Sequence, residues 1–414
     1  MYLSVVMLLT VTLLSLLFNH KVLKMQMSIG LLMIGMTLAA IAYFFRTYAP
    51  AIDDLFPHLV EKIDFNVFLM RMVLPFLLFA GAIHIDISEL NRQKVPVFVF
   101  AIISTLISTF IIGYVGHWAF KLLGFDLPLL YCMLFGALIS PTDPIAVLAI
   151  FKSYKVKSSL IMKIEGESLF NDGIGIVIFI TILSMIRTGG DNMNVVDTVL
   201  LFLREAGGGI LFGLINGWGA IYILKRTQVP KTAIYTTLLI ATFSYSVADM
   251  IEVSGALAMV AAGIVTGNWL HTKANKEIRK DTDMIWETID VLLNAMLFVL
   301  MGISLIHLDF SAFSFWAGVV AIMVALFARF ISVSLPYSLI GINYIKTRFI
   351  PGLKEITILT WSGLRGGLAF ALSLSLIHEP GGHFFIIATY TIATFSIIVQ
   401  GLTIGKLVSA FKMG

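Results

Sequence analysis

The segment GESLFNDGIG, residues 166–175, places Glu167, Asn171 and Asp172 in a stretch whose other residues are mostly apolar. Glu167 and Asn171 are four residues apart, as are Ser168 and Asp172, so in a helix these four side chains lie within one narrow arc. Carboxylate, hydroxyl and amide oxygens are hard ligands, which suit a small monovalent cation better than a soft metal. A carboxylate can bind a cation or carry a proton, and competition between the two for Asp172 would be a complete exchange mechanism.

The composition indicates the surroundings of this segment. Of 414 residues, 59 % are hydrophobic and 13 % are charged, about half the charged fraction of an average soluble domain, and the mean hydropathy is +0.97. We therefore predict an all-α, polytopic membrane protein. A single cysteine, Cys132, excludes an intrachain disulfide and a cysteine metal cluster. In such a chain the net charge of +4 reports topology rather than nucleic-acid binding.

A membrane-spanning helix needs about 20 apolar residues, and apolar runs of this kind predict thirteen spans in one transmembrane domain, residues 1–414, without a soluble regulatory tail. The predicted spans cover residues 2–18, 27–45, 65–84, 95–118, 127–151, 159–186, 197–224, 232–250, 254–270, 285–306, 312–342, 354–377 and 383–411. The first has no basic residue before it and no cleavage signal after it, so we interpret it as a retained helix rather than a signal peptide.

The charges of the connecting loops alternate along the chain. Every second loop is basic, with Lys21 and Lys24; Arg92 and Lys94; Lys152, Lys155 and Lys157; Lys225, Arg226 and Lys231; Lys273, Lys276, Arg279 and Lys280; and Lys346, Arg348 and Lys354. The other loops hold few charges, chiefly Asp53, Asp54, Asp191, Asp249, Glu252, Asp309 and Glu379. Since basic loops stay in the cytoplasm, we expect the N-terminus outside and the C-terminus in the cytoplasm.

Two of the predicted spans contain helix breakers near their middle. The fifth carries ISPTDPIA, residues 139–146, and the twelfth carries WSGLRGGLA, residues 361–369. Prolines and glycines interrupt a helix, and irregular backbone at that depth is tolerated only inside protein or beside a water-filled cavity. The two spans are seven apart and run in opposite directions, as in inverted-topology repeats in which spans 1–6 match 8–13. Paired interruptions indicate the substrate site of a secondary transporter.

A charged residue lies in each interruption. Asp143 can offset the positive N-terminal ends of the half helices, and Arg365 can offset the negative C-terminal ends. The alternative is that both are kinks whose charges reach towards water. A buried arginine needs an acidic partner, and we predict an ion pair of Glu167 with Arg365. A structural pair of Asp172 with Arg365 is the competing interpretation.

Three motifs, SPTDPIAV, EGESLFNDGIGIV and WSGLRGGLAFALS, together resemble the sodium/proton exchanger branch of the monovalent cation/proton antiporters, in particular its bacterial NhaP-type members. The resemblance covers essentially the whole chain in the number and order of spans. It implies the NhaA-like antiporter fold, with inverted repeats and two interrupted, crossing helices, in a homodimer. It also implies a mobile core bundle of residues 95–186 and 312–411, and a dimerisation panel with a linker helix formed by residues 1–94 and 197–306.

The resemblance implies roles for individual residues as well. Asp172 would carry the cation and the proton, and Thr142 and Ser168 would supply further oxygens to a bound Na⁺. Asn171 would stabilise the crossing of the interrupted helices and belongs to the ion-binding set. Asp143 would balance charge at the helix ends, and Glu167 would pair with Arg365. Because relatives with two adjacent aspartates tend to be electrogenic, the Asn171–Asp172 pair suggests electroneutral exchange of one cation for one proton.

One position departs from the family pattern. Many relatives carry a carboxylate in the third span, in a motif resembling LPPLLFEGA, whereas this chain has LPFLLFAGA with Ala80 at that position. The missing carboxylate leaves the ion affinity and the preference for Na⁺ over K⁺ open. His84 and Asp86, just beyond, are either a substitute or interfacial residues at the end of the span, and we favour the second interpretation.

The sequence therefore predicts an antiporter of Na⁺, and also Li⁺, against H⁺ that works by alternating access in the cell membrane without a cofactor. A K⁺/H⁺ antiporter of the same mechanism remains an alternative. A channel is disfavoured, because no repeated filter is visible. An intramembrane hydrolase would need a nucleophile with a base, or two aspartates that share a proton. Ser168 has no histidine on its span, and an Asp143–Asp172 dyad would leave Arg365 without a role.

Overall fold

The computed structural model describes residues 2–45, 68–188, 195–307, 312–343 and 353–412. These residues form helices and no strand, apart from one isolated bridge between Asp143 and Leu364. The helices in chain order are α1 Tyr2–Phe18, α2 Met27–Phe45, α3 Phe68–Ile83, α4 Ile87–Leu122, α5 Leu129–Ile139, α6 Ile145–Ser153, α7 Ser158–Arg187, α8 Val195–Thr227, α9 Pro230–Met250, α10 Gly255–Thr272, α11 Lys276–Ile303, α12 Ala312–Asn343, α13 Leu353–Trp361, α14 Gly367–Leu374 and α15 Gly382–Phe411.

Most predicted spans overlap an observed helix, although α4 begins at Ile87 rather than 95 and α11 at Lys276 rather than 285. Eight helices of the described ranges are long and apolar enough to cross a membrane, namely those beginning near Val5, Met27, Ile87, Ser158, Val196, Lys276, Phe315 and Gly382. Shorter apolar helices, such as Phe68–Ile83 and Leu129–Ile139, lie between them. The total of thirteen spans stays a prediction. Six of the loop charges used for the topology, Asp53, Asp54, Asp191, Asp309, Lys346 and Arg348, fall outside the described residues.

The long helices α4 and α15 and the shorter helix α3 each contain a π-helical turn, in which the hydrogen bond runs to the fifth residue rather than the fourth. These turns are Phe68–Val73 at the start of α3, Val99–Ser104 within α4 and Ser396–Gln400 within α15. The extra residue rotates the rest of each helix relative to its first part. In α4 and α15 the turn lies well inside the helix, so each presents a different face before and after it.

Helix α7, which carries the GESLFNDGIG segment, lies inside the bundle. It packs against α4, α5, α8 and α10, and seventeen of its thirty residues are buried. Helix α8, by contrast, exposes large apolar side chains such as Leu211, Trp218 and Tyr222, as expected of a helix that faces lipid. The polar residues of α7 are therefore shielded from the lipid by neighbouring helices.

Both predicted interruptions are present. Helices α5 and α6 are separated by residues 140–144, and helices α13 and α14 by residues 362–366. The first break follows from its two prolines, and the second from its glycines. Each interrupted segment thus supplies two half helices whose inner ends point into the protein.

Candidate functional site

The two interrupted segments meet each other directly. The backbone N–H of Asp143 donates to the carbonyl of Leu364 over 2.8 Å. Gly366 allows this close approach, because a methyl group at that position would overlap the Asp143 carboxylate. Gly175 has a similar role on α7, where a methyl group would overlap the ring of Pro141. The breaks therefore satisfy part of each other's backbone and pack tightly against α7.

The charged residues of the two breaks lie at opposite ends of half helices. The guanidinium of Arg365, which is 2 % exposed, donates to the carbonyls of Ser140 and Pro141, the second over 2.8 Å, just beyond the C-terminal end of α5. The Asp143 carboxylate accepts from the N–H of Ile145 over 2.9 Å, at the N-terminal end of α6. Each charge thus faces the helix end of opposite partial charge.

Three buried polar side chains form an oxygen-rich cluster beside the crossing. The hydroxyls of Thr142 and Ser168 are 3.0 Å apart. The amide nitrogen of Asn171 donates to the Thr142 hydroxyl over 3.0 Å, and its oxygen accepts from the Thr142 N–H over 3.3 Å. Asn171 therefore ties α7 to the unwound segment between α5 and α6.

Asp172 follows this cluster directly in the chain and shares a helix face with Ser168. It is the fifteenth of the thirty residues of α7, so it lies at the middle of the helix. Its side chain is half-buried, and among the described residues its carboxylate forms no hydrogen bond and no ion pair. Within the described residues its charge is thus not neutralised by a basic side chain, and a cation or a proton on Asp172 would neutralise it.

The predicted ion pair of Glu167 with Arg365 is wrong. Glu167 instead pairs with Arg329 of α12, whose two terminal nitrogens each donate to one carboxylate oxygen, the second over 3.1 Å. The same guanidinium also donates to the carbonyl of Leu359 on α13 over 3.2 Å. Arg365 is not available to Glu167 because its guanidinium faces the carbonyls of Ser140 and Pro141. The competing pair of Asp172 with Arg365 does not form either.

A second, partly buried ion pair lies one helical turn from Glu167, at residues that the sequence motifs did not single out. The Lys163 ammonium on α7 donates to the Glu355 carboxylate on α13 over 2.6 Å. The Tyr337 hydroxyl on α12 donates to the same Glu355 oxygen over 3.0 Å and lies 3.3 Å from the Lys163 nitrogen. The available signal was the placement of Lys163 four residues before Glu167 inside a predicted span.

In the described part of the chain, Ala80, His84 and Asp86 form no hydrogen bond with Thr142, Ser168 or Asn171. Ala80 is buried in the apolar core. The Asp86 carboxylate accepts from the N–H groups of Ser88 and Glu89 and so caps the first turn of α4. The His84 ring lies 2.8 Å from the Ala80 carbonyl. Asp86 therefore has a structural role at a helix end.

The ligand atoms that the site offers are hydroxyl, amide and carboxylate oxygens, from Thr142, Ser168, Asn171 and Asp172. Among the described residues, no group of three or more His, Cys, Asp or Glu side chains is arranged to hold a metal ion. A mid-helix carboxylate with neutral oxygens beside it fits a small, hard, monovalent cation. Since the carboxylate can also take up a proton, one site can serve either ion.

Over nearly its whole length the chain is similar in sequence to known sodium/proton antiporters. The sequence profile described as "Sodium/hydrogen exchanger, transmembrane" matches residues 7–410. The chain is 37 % identical over 402 residues to the Na(+)/H(+) antiporter NhaP of Pseudomonas aeruginosa, which covers 96 % of this chain and 93 % of that protein. It is 31 % identical over 402 residues to the Na(+)/H(+) antiporter NhaH of Halobacillus dabanensis, covering 95 % and 94 %.

Among solved structures, the sodium proton antiporter MjNhaP1 from Methanocaldococcus jannaschii is similar to this chain. The two superpose with a TM-score of 0.75 at 20 % identity, over 99 % of this chain and 98 % of the other. At that level of identity the likeness establishes the fold, which is the antiporter fold expected from the two interrupted, crossing segments.

Proposed function

Since the chain belongs to the sodium/hydrogen exchanger family and is a multi-pass membrane cation/proton antiporter rather than an enzyme, we propose that it exchanges Na⁺ for H⁺ at Asp172. The observation that carries this proposal is the half-buried Asp172 carboxylate at the middle of α7, beside the oxygens of Thr142, Ser168 and Asn171. Membership of this transporter family also excludes the alternative that the protein is an intramembrane hydrolase.

In this proposal the two ions exclude each other at one carboxylate. Deprotonated Asp172 binds Na⁺, with the hydroxyls of Thr142 and Ser168 and the amide oxygen of Asn171 as neutral ligands. Protonated Asp172 has no charge to hold the cation, so Na⁺ leaves. Each half of the cycle thus carries one ion across, and no cofactor takes part.

We propose a stoichiometry of one Na⁺ for one H⁺, which would make the exchange electroneutral. Glu167 is paired with Arg329, and Lys163 is paired with Glu355. Asp143 and Arg365 face helix ends. Asp172 is then the site group whose charge changes, and Na⁺ or H⁺ brings the same positive charge to it.

The transported ion is Na⁺, with Li⁺ as a second substrate, in our proposal. The hydroxyl–hydroxyl distance of 3.0 Å between Thr142 and Ser168 indicates a compact set of ligands. The sodium antiporters that this chain resembles support the same ion. A K⁺/H⁺ antiporter of the same mechanism is the alternative, since Ala80 leaves the site one carboxylate short of many relatives.

The remaining parts of the proposal concern the whole protein. A core of residues 95–186 and 312–411 would move against a panel and linker formed by residues 1–94 and 197–306, so that Asp172 faces each side in turn. The protein would be a homodimer in the cell membrane, with its N-terminus outside and its C-terminus in the cytoplasm.

Proteoliposomes with an internal pH dye test this function. With a proton gradient imposed, Na⁺, Li⁺ and K⁺ are added in turn to the wild type and to Asp172→Asn, with and without valinomycin and K⁺ to clamp the voltage. The matched control is Asp126→Asn, which removes an exposed carboxylate from a loop.

We expect proton movement that depends on the added cation in the wild type and in Asp126→Asn, and none in Asp172→Asn. Insensitivity to the voltage clamp is expected for electroneutral exchange. Retained exchange in folded Asp172→Asn would overturn the assignment of the carrier. A faster response to K⁺ than to Na⁺ would favour the alternative ion.

A further inference from the structure

Two polar contacts join the same three helices on one side of the site. In the first, Glu167 of α7, Arg329 of α12 and the Leu359 carbonyl of α13 are joined. In the second, Lys163, Tyr337 and Glu355 of the same helices are joined. We call this second contact the Lys163 cluster.

The two contacts are stacked along the helices with matching spacing. On α7 the contacts are four residues apart, at 163 and 167, and on α13 they are also four apart, at 355 and 359. On α12 they are eight apart, at 337 and 329, in the opposite chain direction. One helical turn is 3.6 residues, so a spacing of four residues places both contacts on the same face of each helix. Both contacts can form together only when α13 lies at one axial position relative to α7.

The register of α13 matters because this helix is short and leads into the site. It has nine residues and ends at Trp361, directly before the unwound segment 362–366. That segment supplies the Leu364 carbonyl bonded to Asp143 and the Arg365 guanidinium bonded to the carbonyls of Ser140 and Pro141. A shift of α13 along its axis would move both groups, and with them the backbone that carries Thr142.

The Lys163 cluster holds the end of α13 that is farther from the site. The Lys163 side chain is buried at 5 % exposure, and the Glu355 side chain is partly exposed at 22 %, so the pair lies largely, but not fully, out of contact with water. At the other end, the Trp361 indole donates to Thr403 of α15 over 2.9 Å. The Tyr337 hydroxyl donates a second hydrogen bond to the same Glu355 oxygen over 3.0 Å, which further restricts where that carboxylate can lie.

A buried ion pair contributes little to stability compared with apolar side chains of similar volume, and its best-attested use is to select one register among several. We propose that Lys163 and Glu355 are positioning residues that fix α13 against α7, and so set the spacing of the oxygens around Asp172 on which discrimination among Na⁺, Li⁺ and K⁺ depends. This inference rests on the proposed function.

The test separates register from mere stability. The double variant Lys163→Met/Glu355→Met keeps the volume but removes both charges, so it leaves no unpaired buried charge. The Tyr337 hydroxyl loses its acceptor, but replacing a buried ion pair with apolar side chains is often neutral or stabilising, so melting close to the wild type is expected. Lys163→Arg retains the ion pair and serves as the conservative variant. The control is Arg204→Met, which breaks an exposed pair with Glu252 of 2.9 Å.

Three quantities are measured on each purified variant. The first is the melting temperature. The second is the apparent KM and maximal rate for Na⁺, Li⁺ and K⁺ in proteoliposomes. The third is hydrogen–deuterium exchange of the peptide covering residues 353–367, which needs no transport activity.

For the double variant we expect melting near the wild type, an apparent KM for Na⁺ raised at least fivefold, and a Na⁺-to-Li⁺ KM ratio changed at least threefold. Exchange of residues 353–367 should become faster. Lys163→Arg and Arg204→Met should keep the wild-type ratio and exchange. A double variant with wild-type melting, KM ratio and exchange would overturn the proposal and leave the cluster a purely structural contact.

If the double variant does not fold, Glu355→Asp gives the same test, because it keeps the charge and shortens the side chain by one methylene group. It should change the Na⁺-to-Li⁺ KM ratio. An unchanged ratio together with unchanged hydrogen–deuterium exchange of residues 353–367 would count against the proposal. A wild type that moves no protons would refute the proposed function. The hydrogen–deuterium exchange of residues 353–367 in the variants would still show whether Lys163 and Glu355 fix the position of α13.

Discussion

Breaking the Glu167–Arg329 pair should be among the most destabilising single changes in the chain. Both side chains are almost inaccessible to solvent, at 2 % and 6 % exposure. In Arg329→Met, Glu167 would be left as an unpaired buried charge, which costs about 3–5 kcal/mol. The Leu359 carbonyl would also lose the Arg329 donor but would still accept from the Ser362 hydroxyl over 3.3 Å, so the unpaired charge dominates the cost.

The charge alone predicts a change of roughly two to three and a half orders of magnitude in the unfolding equilibrium constant, at 1.4 kcal/mol for each factor of ten. The assay is unfolding by SDS in mixed micelles, followed by far-ultraviolet circular dichroism. Arg204→Met is the control, because its pair with Glu252 is exposed and such pairs contribute about 0–1 kcal/mol.

A companion variant separates the lost charge pair from lost packing. Glu167→Gln/Arg329→Met replaces the orphaned carboxylate with a neutral amide and should recover most of the stability. An Arg329→Met variant that unfolds at the same SDS fraction as the wild type and the control would contradict a stabilising role of the pair. A double variant no more stable than the single one would also contradict it, because packing would then account for the loss.

Two further changes probe the site itself. Thr142→Val keeps the shape but removes the hydroxyl that contacts Asn171 and Ser168, so the buried amide of Asn171 loses its acceptor at a cost of about 1–3 kcal/mol. We expect the apparent KM for Na⁺ to rise about tenfold, whereas the control Thr37→Val, on the exposed face of α2, should leave it unchanged. An equal KM in the two variants would remove Thr142 from the ligand set. Gly366→Ala should reduce the transport rate more than tenfold, because the added methyl group overlaps the Asp143 carboxylate. The control Gly219→Ala, whose methyl group would meet no atom within 4 Å, should transport normally. Full activity in Gly366→Ala would show that the crossing of the two interrupted segments tolerates displacement.

Local sequence patterns were sufficient for the features that depend on local chemistry. Proline and glycine fix where a helix cannot continue, so the breaks after Ile139 and Trp361 were predicted within a few residues. The i, i+4 spacing of α7 likewise placed Ser168 and Asp172 on one face. Thr142 joined the predicted site only through the family resemblance, because its contact with Asn171 and Ser168 is made across the break.

The assignment of partners to buried charges was beyond the sequence. Arg329 and Arg365 are both buried, so each guanidinium needs acceptors for its charge. Glu167 was predicted to pair with Arg365, because Arg365 lies in a recognisable motif, whereas it pairs with Arg329. A guanidinium can be compensated by carbonyls as well as by a carboxylate, and a helix end that is interrupted inside the protein presents such carbonyls. Sequence spacing cannot show which arginine reaches them, because α5, α12 and α13 meet only in the fold.

The Lys163 cluster could not be predicted for the same reason, because its three residues lie on different helices. The position of this cluster also indicates how the site could stay rigid while the protein moves. Lys163, Glu167, Ser168 and Asp172 lie along α7 within ten residues, so the two ion pairs and the oxygen cluster belong to one stretch of helix. If that stretch and the half helices tied to it move as one body, no buried pair has to break during the transport cycle. The cost of exposing Asp172 to either side then falls on the apolar contacts that α7 makes with α8 and α10, which are non-directional and can slide.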